Sequence, residues 1–237
     1  MREDEARVQL QAATDAAAMR GSLIFHLQLA ATLGLEALAE AGVAVPLHAL
    51  LVDAEGYGVL ALDDGAVPQE RALVRFAPDG RPVVTARQGA ATRQDAARAR
   101  AARTVAAARL VPGRQDVIAL PSPRRAAPDA PVEVYALALP ETVGDVVLGI
   151  HWHATVAADG AALLSREPLS RSALVLPARG DTPPFAVEVT HFGAVPSEIH
   201  TWASLRHGIA LSVVTLDSGM VWSVEGERTL PVGRVES

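Results

Sequence analysis

Residues 185–224 read FAVEVTHFGAVPSEIHTWASLRHGIALSVVTLDSGMVWSV, and this stretch decides the fold class. Polar and apolar residues alternate over 185–191, which is typical of a half-buried strand. A proline opens a short helix over 196–207, and two apolar runs flanking the turn at 217–219 predict a hairpin. A strand, a helix and a hairpin in this order predict an α+β fold.

The rest of the C-terminal half predicts mainly antiparallel β-sheet. Residues 132–139 form one predicted strand, and residues 145–167 form a hairpin around the turn Ala158-Asp159-Gly160. A further short strand is predicted over 172–176. Asp-Gly supplies the turn residue that adopts a positive φ, so each of these turns favours strands that run back on themselves.

The N-terminal half predicts Ala-rich helices and short hairpins. Two helices, 3–20 and 23–41, are expected on either side of a break at Gly21-Ser22. A third helix over 92–110 is expected to begin at Thr92. The predicted strands of this half are two hairpins and one single strand, at 49–62, 72–86 and 116–120.

A Pro-rich segment at 121–131 separates the two halves. Its four prolines favour extended backbone, which is typical of a linker. The sequence therefore predicts an N-terminal α+β part at 1–120 and a β-rich part at 132–237, with one continuous domain as the alternative.

The composition excludes several classes of protein. The chain of 237 residues has no cysteine, which excludes a disulfide framework, a thiolate metal site and a cysteine nucleophile. It is 50% hydrophobic, far above the range of disordered chains. All 21 basic residues are Arg, a bias that suggests a GC-rich bacterial genome.

Charge is distributed unevenly along the chain. Residues 71–125 carry a net charge of +9, whereas the rest carries −15. A basic middle segment of this kind binds an external anion or nucleic acid, or packs against the acidic parts of its own chain. Because aromatic residues are scarce near it and the whole chain is acidic, nucleic acid is not the expected partner.

No membrane span and no signal peptide are expected. The uncharged stretch at 21–35 is shorter than the roughly 20 apolar residues that a span requires. The N-terminus is highly charged, unlike a signal peptide. The chain is therefore expected to be soluble and cytoplasmic, or periplasmic if a signal peptide has been removed from it.

Five of the seven histidines lie between residues 151 and 207. His151 and His153 flank Trp152 on a predicted strand, where a period of two puts both imidazoles on one face. Neutral imidazole is a good ligand for zinc and other divalent metals, so the pair is a candidate metal-binding edge. Alternatively, both are surface residues of a half-exposed strand beside a buried Trp152.

His191 and His200 are the candidate catalytic residues. His191 ends one predicted strand, and His200 lies in the helix that follows it, with Glu198 as an added carboxylate or base. Strand ends and the loops after them favour functional residues. Together with His151 and His153, these residues would suit a metal-dependent hydrolase.

Stronger catalytic and nucleotide-binding motifs are absent from the sequence. There is no His-Glu-x-x-His, no Gly-x-Ser-x-Gly elbow and, without Lys, no P-loop. The segment Gly56-Tyr57-Gly58 leads into a strand, whereas a dinucleotide fingerprint leads into a helix.

The C-terminal part also shows a resemblance. The segments concerned are Gly149-Ile-His151, Leu169-Ser-Arg-Ser172, Thr190-His191, Pro196-Ser-Glu-Ile-His200, Ala203-Ser-Leu205, Val214-Thr215 and Gly219-Met-Val-Trp-Ser-Val-Glu-Gly226. The first two segments resemble the middle, and the others resemble the end, of uncharacterised bacterial proteins that pair an Ala-rich helical start with a β-rich end. The resemblance implies no activity.

The sequence therefore favours a non-enzymatic binding or accessory protein, acting on a protein partner or a small ligand. The two alternatives are a metal-dependent hydrolase that uses the C-terminal histidines and an anion- or nucleic-acid-binding protein that uses the Arg-rich middle segment.

Overall fold

The structure is a computed structural model that describes residues 2–46, 49–53, 56, 58–122, 127, 129–170, 173–177 and 186–235, with side chains from residue 8 onward. The α+β prediction is confirmed. The described helices are α1 (Arg2–Glu40), α2 (Arg93–Ala107) and α3 (Glu198–His207). The described strands are β1 (Leu50–Val52), β2 (Gly58–Leu62), β3 (Gln69–Phe76), β4 (Pro82–Ala90), β5 (Gln115–Ala119), β6 (Val132–Ala138), β7 (Val146–Val147), β8 (Trp152–Val156), β9 (Leu163–Pro168), β10 (Val175–Leu176), β11 (Ala186–His191), β12 (Ala210–Thr215), β13 (Met220–Glu225) and β14 (Arg228–Arg234).

Some predicted features lie outside the described residues. They are the turn residues 54 and 55, residues 123–126 and 128 of the predicted linker, and the first residues, 57, 172 and 185, of three predicted strands.

Two compact units make up the chain, and each is discontinuous in sequence. The first unit comprises Met1–Phe25, Pro140–Gly149 and Leu169–Ser237. The second unit comprises His26–Leu139 and Ile150–Pro168. The segment 121–131 lies within the second unit, and the division of the chain into two parts around that segment stays a prediction.

The main sheet of the first unit has the order β11-β12-β13-β14. Strands β11 and β12 are parallel because α3 connects them, whereas β12, β13 and β14 are antiparallel neighbours. The predicted strand, helix and hairpin of residues 186–225 are thus all present. Strand β14 was not predicted, since Pro231 and Gly233 interrupt its sequence pattern. A two-stranded sheet of β7 and β10 completes this unit.

The predicted helix break at Gly21-Ser22 is wrong, because α1 runs without interruption from Arg2 to Glu40. Gly21 instead lets α1 approach α3 closely. A Cβ atom at this position would come within 2.8 Å of the Thr201 Cβ and closer still to the carbonyl oxygen of Glu198. The glycine is therefore required by packing between two helices, which a search for local helix breakers does not detect.

The second unit contains two four-stranded antiparallel sheets. Their strand orders are β1-β2-β3-β4 and β5-β6-β8-β9. The predicted hairpin at 72–86 is confirmed as β3 and β4. Of the hairpin predicted at 145–167, the part from Trp152 onward is present as β8 and β9, joined through the turn at Asp159-Gly160, whereas its first strand is interrupted between β7 and β8. Strands β1 and β5 are both edge strands, so each has one side that no described strand pairs with.

Helix α2 begins as the sequence predicts. Thr92 is its N-cap, and its side chain accepts a hydrogen bond from the backbone N–H of Asp95. The buried face of α2 consists mainly of alanines, which let strands approach closely. At Gly160, whose φ is +78°, a Cβ would come within 2.8 Å of the Ala101 nitrogen. The carbonyl oxygen of Gly160 accepts a hydrogen bond of 2.8 Å from the Thr104 hydroxyl.

Arg98 is the one charged residue on the buried face of α2, with 5% of its surface exposed. Its Nη2 donates to the carbonyl oxygen of Val52 on β1 at 2.9 Å and to that of Ala119 on β5 at 3.1 Å. Its Nη1 lies 3.7 Å from Asp95. Burial lowers the pKa of Arg98, and the charges of Asp95 and Asp53 oppose that shift. One guanidinium therefore joins the edges of the two sheets.

We expect Gly21→Ala to destabilise the protein by about 1–3 kcal/mol, because the added methyl group overfills the α1–α3 contact. Helix propensity alone predicts the opposite, a gain of about 1 kcal/mol. Urea unfolding of both proteins measures the difference. The control is Ala16→Gly at an exposed position of the same helix, where propensity alone should cost about 1 kcal/mol. A stabilised Gly21→Ala variant would contradict the close packing.

We expect Arg98→Leu to lower the free energy of unfolding by about 2–5 kcal/mol, since two buried carbonyl oxygens lose their donor. Arg93→Leu, at an exposed position of the same helix, should stay within about 0.5 kcal/mol of the wild type. Chemical denaturation measures both. Equal effects of the two substitutions would show that the guanidinium does not hold the strands.

Candidate functional site

The predicted catalytic residues of the first unit lie at one edge of its main sheet. His191 ends β11, Thr215 ends the parallel strand β12, and α3 begins between these strands in sequence. When a helix connects two parallel strands, the C-terminal ends of the strands and the N-terminus of the helix meet at one edge. Ligands bind at this edge in many α/β proteins, so the position suits a functional site.

The structure brings His191 and His200 together. Their ring centroids are 4.9 Å apart, and the rings meet edge to face. The backbone N–H of Ser197 donates to the Nδ1 of His200 at 3.1 Å, which closes the first turn of α3. Because a backbone N–H only donates, this Nδ1 is an acceptor, and we assign the proton of the neutral ring to Nε2.

The surroundings of His191 favour its neutral form. Burial lowers the pKa of His191, and the nearby carboxylates of Glu198 and Asp217 partly oppose that shift. Gly193 provides the space that the ring occupies, since a Cβ at residue 193 would lie 2.8 Å from Nε2 of His191. A neutral imidazole beside a carboxylate is able to accept a proton.

Hydrogen bonds hold the loop after β11 against the turn after β12. The backbone N–H of Leu216 donates to the His191 carbonyl oxygen at 2.9 Å. The Ser218 hydroxyl donates to the Ala194 carbonyl oxygen at 2.8 Å. The Thr215 hydroxyl accepts from Nε1 of the buried Trp222 at 3.0 Å. These bonds position His191 and Asp217 through the backbone.

A metal site is not assembled around these residues. In the described part of the chain, no three His, Asp or Glu side chains group closely enough to hold a metal ion. His191 and His200 belong to the first unit, whereas His151 and His153 belong to the second. The metal-dependent hydrolase stays a prediction, and the described geometry supplies no three-ligand centre for it.

His151 and His153 share one face only if both lie in one continuous strand. The observed strand β8 begins at Trp152, so His151 lies just before it. Gly149 and Ile150 both adopt a positive φ just before it. His151 is fully buried, and its Nδ1 accepts the backbone N–H of Ala138 at 3.0 Å. The His151 side chain therefore accepts a backbone hydrogen bond from the last residue of β6, beyond the end of the β6–β8 strand pairing. Trp152, expected to be buried, is only half-buried.

His153 has different partners. Its ring packs against Tyr135 at a centroid distance of 4.9 Å, and its Nε2 lies 3.4 Å from a carboxylate oxygen of Glu133. Tyr135 is also its cross-strand neighbour in the β6–β8 pair. The two histidines thus serve separate contacts of the same sheet.

Several arginines of the basic middle segment are bound within the second unit. Arg98 joins β1 to β5, Arg103 contacts Asp64 at 3.0 Å, and Arg81 pairs with Asp79. Arg124 and Arg125 lie outside the described residues. The contacts of Arg98 and Arg103 agree with the interpretation that the basic segment packs against its own chain. Anion or nucleic-acid binding stays a prediction.

The second unit contains a groove that the sequence did not reveal. It is lined by α1, β1 and β5, and its volume is about 420 Å³ including the part open to solvent. We call it the α1 groove. Its lining residues are Leu27, Gln28, Ala31, Thr32, Leu50, Val52, Asp116, Val117, Ile118 and Ala119.

Two polar side chains meet at the α1 groove. Gln28 is 5% exposed, and its Nε2 donates to a carboxylate oxygen of Asp116 at 2.5 Å. The signal in the sequence is weak: Gln28 is a polar residue within an apolar helical stretch, and 88 residues separate it from Asp116. No local pattern predicts that they meet.

No protein-family model, no curated protein and no solved structure matches the chain.

By length and composition, α1 is apolar enough over Val8–Glu40 to cross a membrane, and 39% of its most apolar window is buried inside the protein. Core helices and signal sequences share these properties, so they do not decide the compartment.

His207, at the far end of α3 from Ser197, provides a test of the packing in this unit. Its ring meets Trp202 at a centroid distance of 6.0 Å, and its Nε2 has no hydrogen-bond partner among the described residues. Burial, with a smaller contribution from Arg206, lowers the pKa of His207 to about 4. The unfolded chain therefore binds this proton more readily than the folded chain does.

We expect His207 to make the protein less stable as the pH falls from about 6.5 towards 4. Over this window the unfolded imidazole becomes protonated while the folded one stays neutral, at about 1.4 kcal/mol per unit of pKa difference. His207→Phe should flatten the dependence of unfolding free energy on pH there. Urea titrations at pH 7.5, 5.5 and 4.5 test this. Parallel pH profiles for the variant and the wild type would contradict the burial of a neutral ring.

Proposed function

We propose that this protein is a non-enzymatic binding protein that holds a small, mainly apolar molecule in the α1 groove. The observation that carries the proposal is the lining of the groove, where apolar side chains stand beside the polar pair Gln28 and Asp116 and the hydroxyl of Thr32, which donates to the Gln28 carbonyl oxygen. Small-molecule sites in proteins are typically concave and apolar, with a few polar groups that orient the ligand.

The apolar part of the lining comes from three elements. Leu27 and Ala31 lie on α1, Leu50 lies on β1, and Ile118 lies on β5. A ligand that covers these side chains removes apolar surface from water, which contributes roughly 25 cal/mol per Å² buried.

Strand edges give the groove backbone groups as well as side chains. Four consecutive residues of β5, from Asp116 to Ala119, line it. Since β1 and β5 are both edge strands, each has carbonyl and N–H groups directed away from its strand partner. Such groups supply hydrogen-bond partners for a ligand.

Binding is favoured over catalysis by the side chains present. Asp116 is the one titratable residue among those that line the groove. General acid–base or nucleophilic catalysis typically requires a second group within hydrogen-bond reach of the first. The histidine pair, which has that kind of proximity, belongs to the other unit.

We expect the neutral fluorescent probe N-phenyl-1-naphthylamine to bind the wild type saturably at one site, because its two ring systems are apolar and match the apolar side chains that line the groove. Ala31→Trp fills the groove and should weaken binding about tenfold or more, as expected from the loss of about 1.4 kcal/mol. Fluorescence titration measures the affinity, and circular dichroism checks that the variant is folded.

The matched control is Ala39→Trp, which adds the same side chain at an exposed position of α1 outside the groove. It should bind the probe as the wild type does. If the wild type fails to bind, or if both tryptophan variants bind equally well, the α1 groove is not the ligand site.

A further inference from the structure

We infer that the ligand of the α1 groove carries a positively charged amine, which pairs with the carboxylate of Asp116. This inference rests on the proposed function and specifies the chemical class of the ligand. It follows from the charge of the groove, from the geometry of the Gln28–Asp116 contact and from the contacts that the guanidinium of Arg98 already makes.

Asp116 is the one charged residue of the groove lining, where it is half-buried beside Gln28 and apolar side chains. A carboxylate among apolar groups is costly unless a cation or several hydrogen-bond donors compensate it. Gln28 supplies one neutral donor, to Oδ2 at 2.5 Å. A carboxylate has room for about four hydrogen bonds, so one amide N–H uses a minor part of its capacity.

The buried guanidinium of Arg98 already contacts groups other than Asp116. Arg98 contacts β5 as well, but its Nη2 is shared between the carbonyl oxygens of Val52 and Ala119. Its Nη1 faces Asp95 at 3.7 Å. The guanidinium thus compensates backbone carbonyls and a carboxylate on α2, and the charge of Asp116 is left to a ligand.

An ammonium group suits the remaining acceptors better than a hydroxyl does. It has three donors and a full positive charge, and charge-assisted hydrogen bonds are roughly twice as strong as neutral ones. The carbonyl oxygen of Ala119 points away from β6 towards Arg98, and by strand alternation that of Val117 points to the same side. The edge of β5 therefore offers a second kind of acceptor near Asp116.

The test compares three probes that share a six-carbon chain: hexylamine, 1-hexanol and hexanoate. Each displaces N-phenyl-1-naphthylamine from the wild type in a fluorescence competition assay. We expect hexylamine to bind about tenfold or more tightly than 1-hexanol, the worth of one charge-assisted contact. Hexanoate should bind more weakly than both, since it places two carboxylates together.

Two variants locate the preference. Asp116→Asn should reduce the affinity for hexylamine to that for 1-hexanol while the dye still binds. The matched control is Glu36→Gln, which removes a carboxylate at an exposed position of α1 outside the groove and should keep the amine preference. Added salt should weaken hexylamine binding in the wild type and leave 1-hexanol binding unchanged.

The outcomes separate this inference from the proposed function. If the dye and 1-hexanol bind but hexylamine gains no advantage, or if Asp116→Asn retains the advantage, the amine is wrong and the groove remains a ligand site. If neither the dye nor any of the three probes binds the wild type, the proposed function fails and the inference fails with it.

Discussion

The second unit depends on the guanidinium of Arg98, which lies between two strand edges that no described strand pairs with on that side. Carbonyl oxygens at the edge of a buried strand require donors, and one planar group with several N–H donors serves two strands at once. The guanidinium of Arg98 joins β1 to β5, and no described strand pairs with both of them. The two sheets therefore have separate hydrogen-bond ladders. The α1 groove is lined by these same two edges.

The two candidate sites differ in what they offer a ligand. The edge that carries His191 and His200 has a proton acceptor beside carboxylates, but its hydrogen bonds join protein groups to one another. The α1 groove has empty volume, apolar walls and a carboxylate with one amide partner. This difference is the reason why we propose the groove, and not the histidine pair, as the ligand site.

Features set by neighbouring residues could be predicted, and features set by distant contacts could not. Thr92 with Asp95 and the turn at Asp159-Gly160 follow from local chemistry, and each appears where the sequence places it. Helix α3 was expected to open at Pro196 but begins at Glu198, after the N-cap Ser197. The predicted helix break at Gly21 is wrong, because the glycine is needed for close packing against α3 and not for a turn of the local backbone. His151 lies outside β8, because two positive φ angles interrupt the predicted strand just before Trp152. The groove could not be predicted from the sequence, because Gln28 and Asp116 are far apart in the chain and come together only when it folds.

The close approach at Gly21 also has a genetic consequence. Every glycine codon becomes an alanine codon through a single base change, and this chain is rich in alanine. Over most of the exposed surface of α1 such drift is harmless or improves the helix. At residue 21 the same change inserts a methyl group into the space between α1 and α3. Selection must therefore oppose, at residue 21, the substitution that the composition of the whole chain otherwise favours.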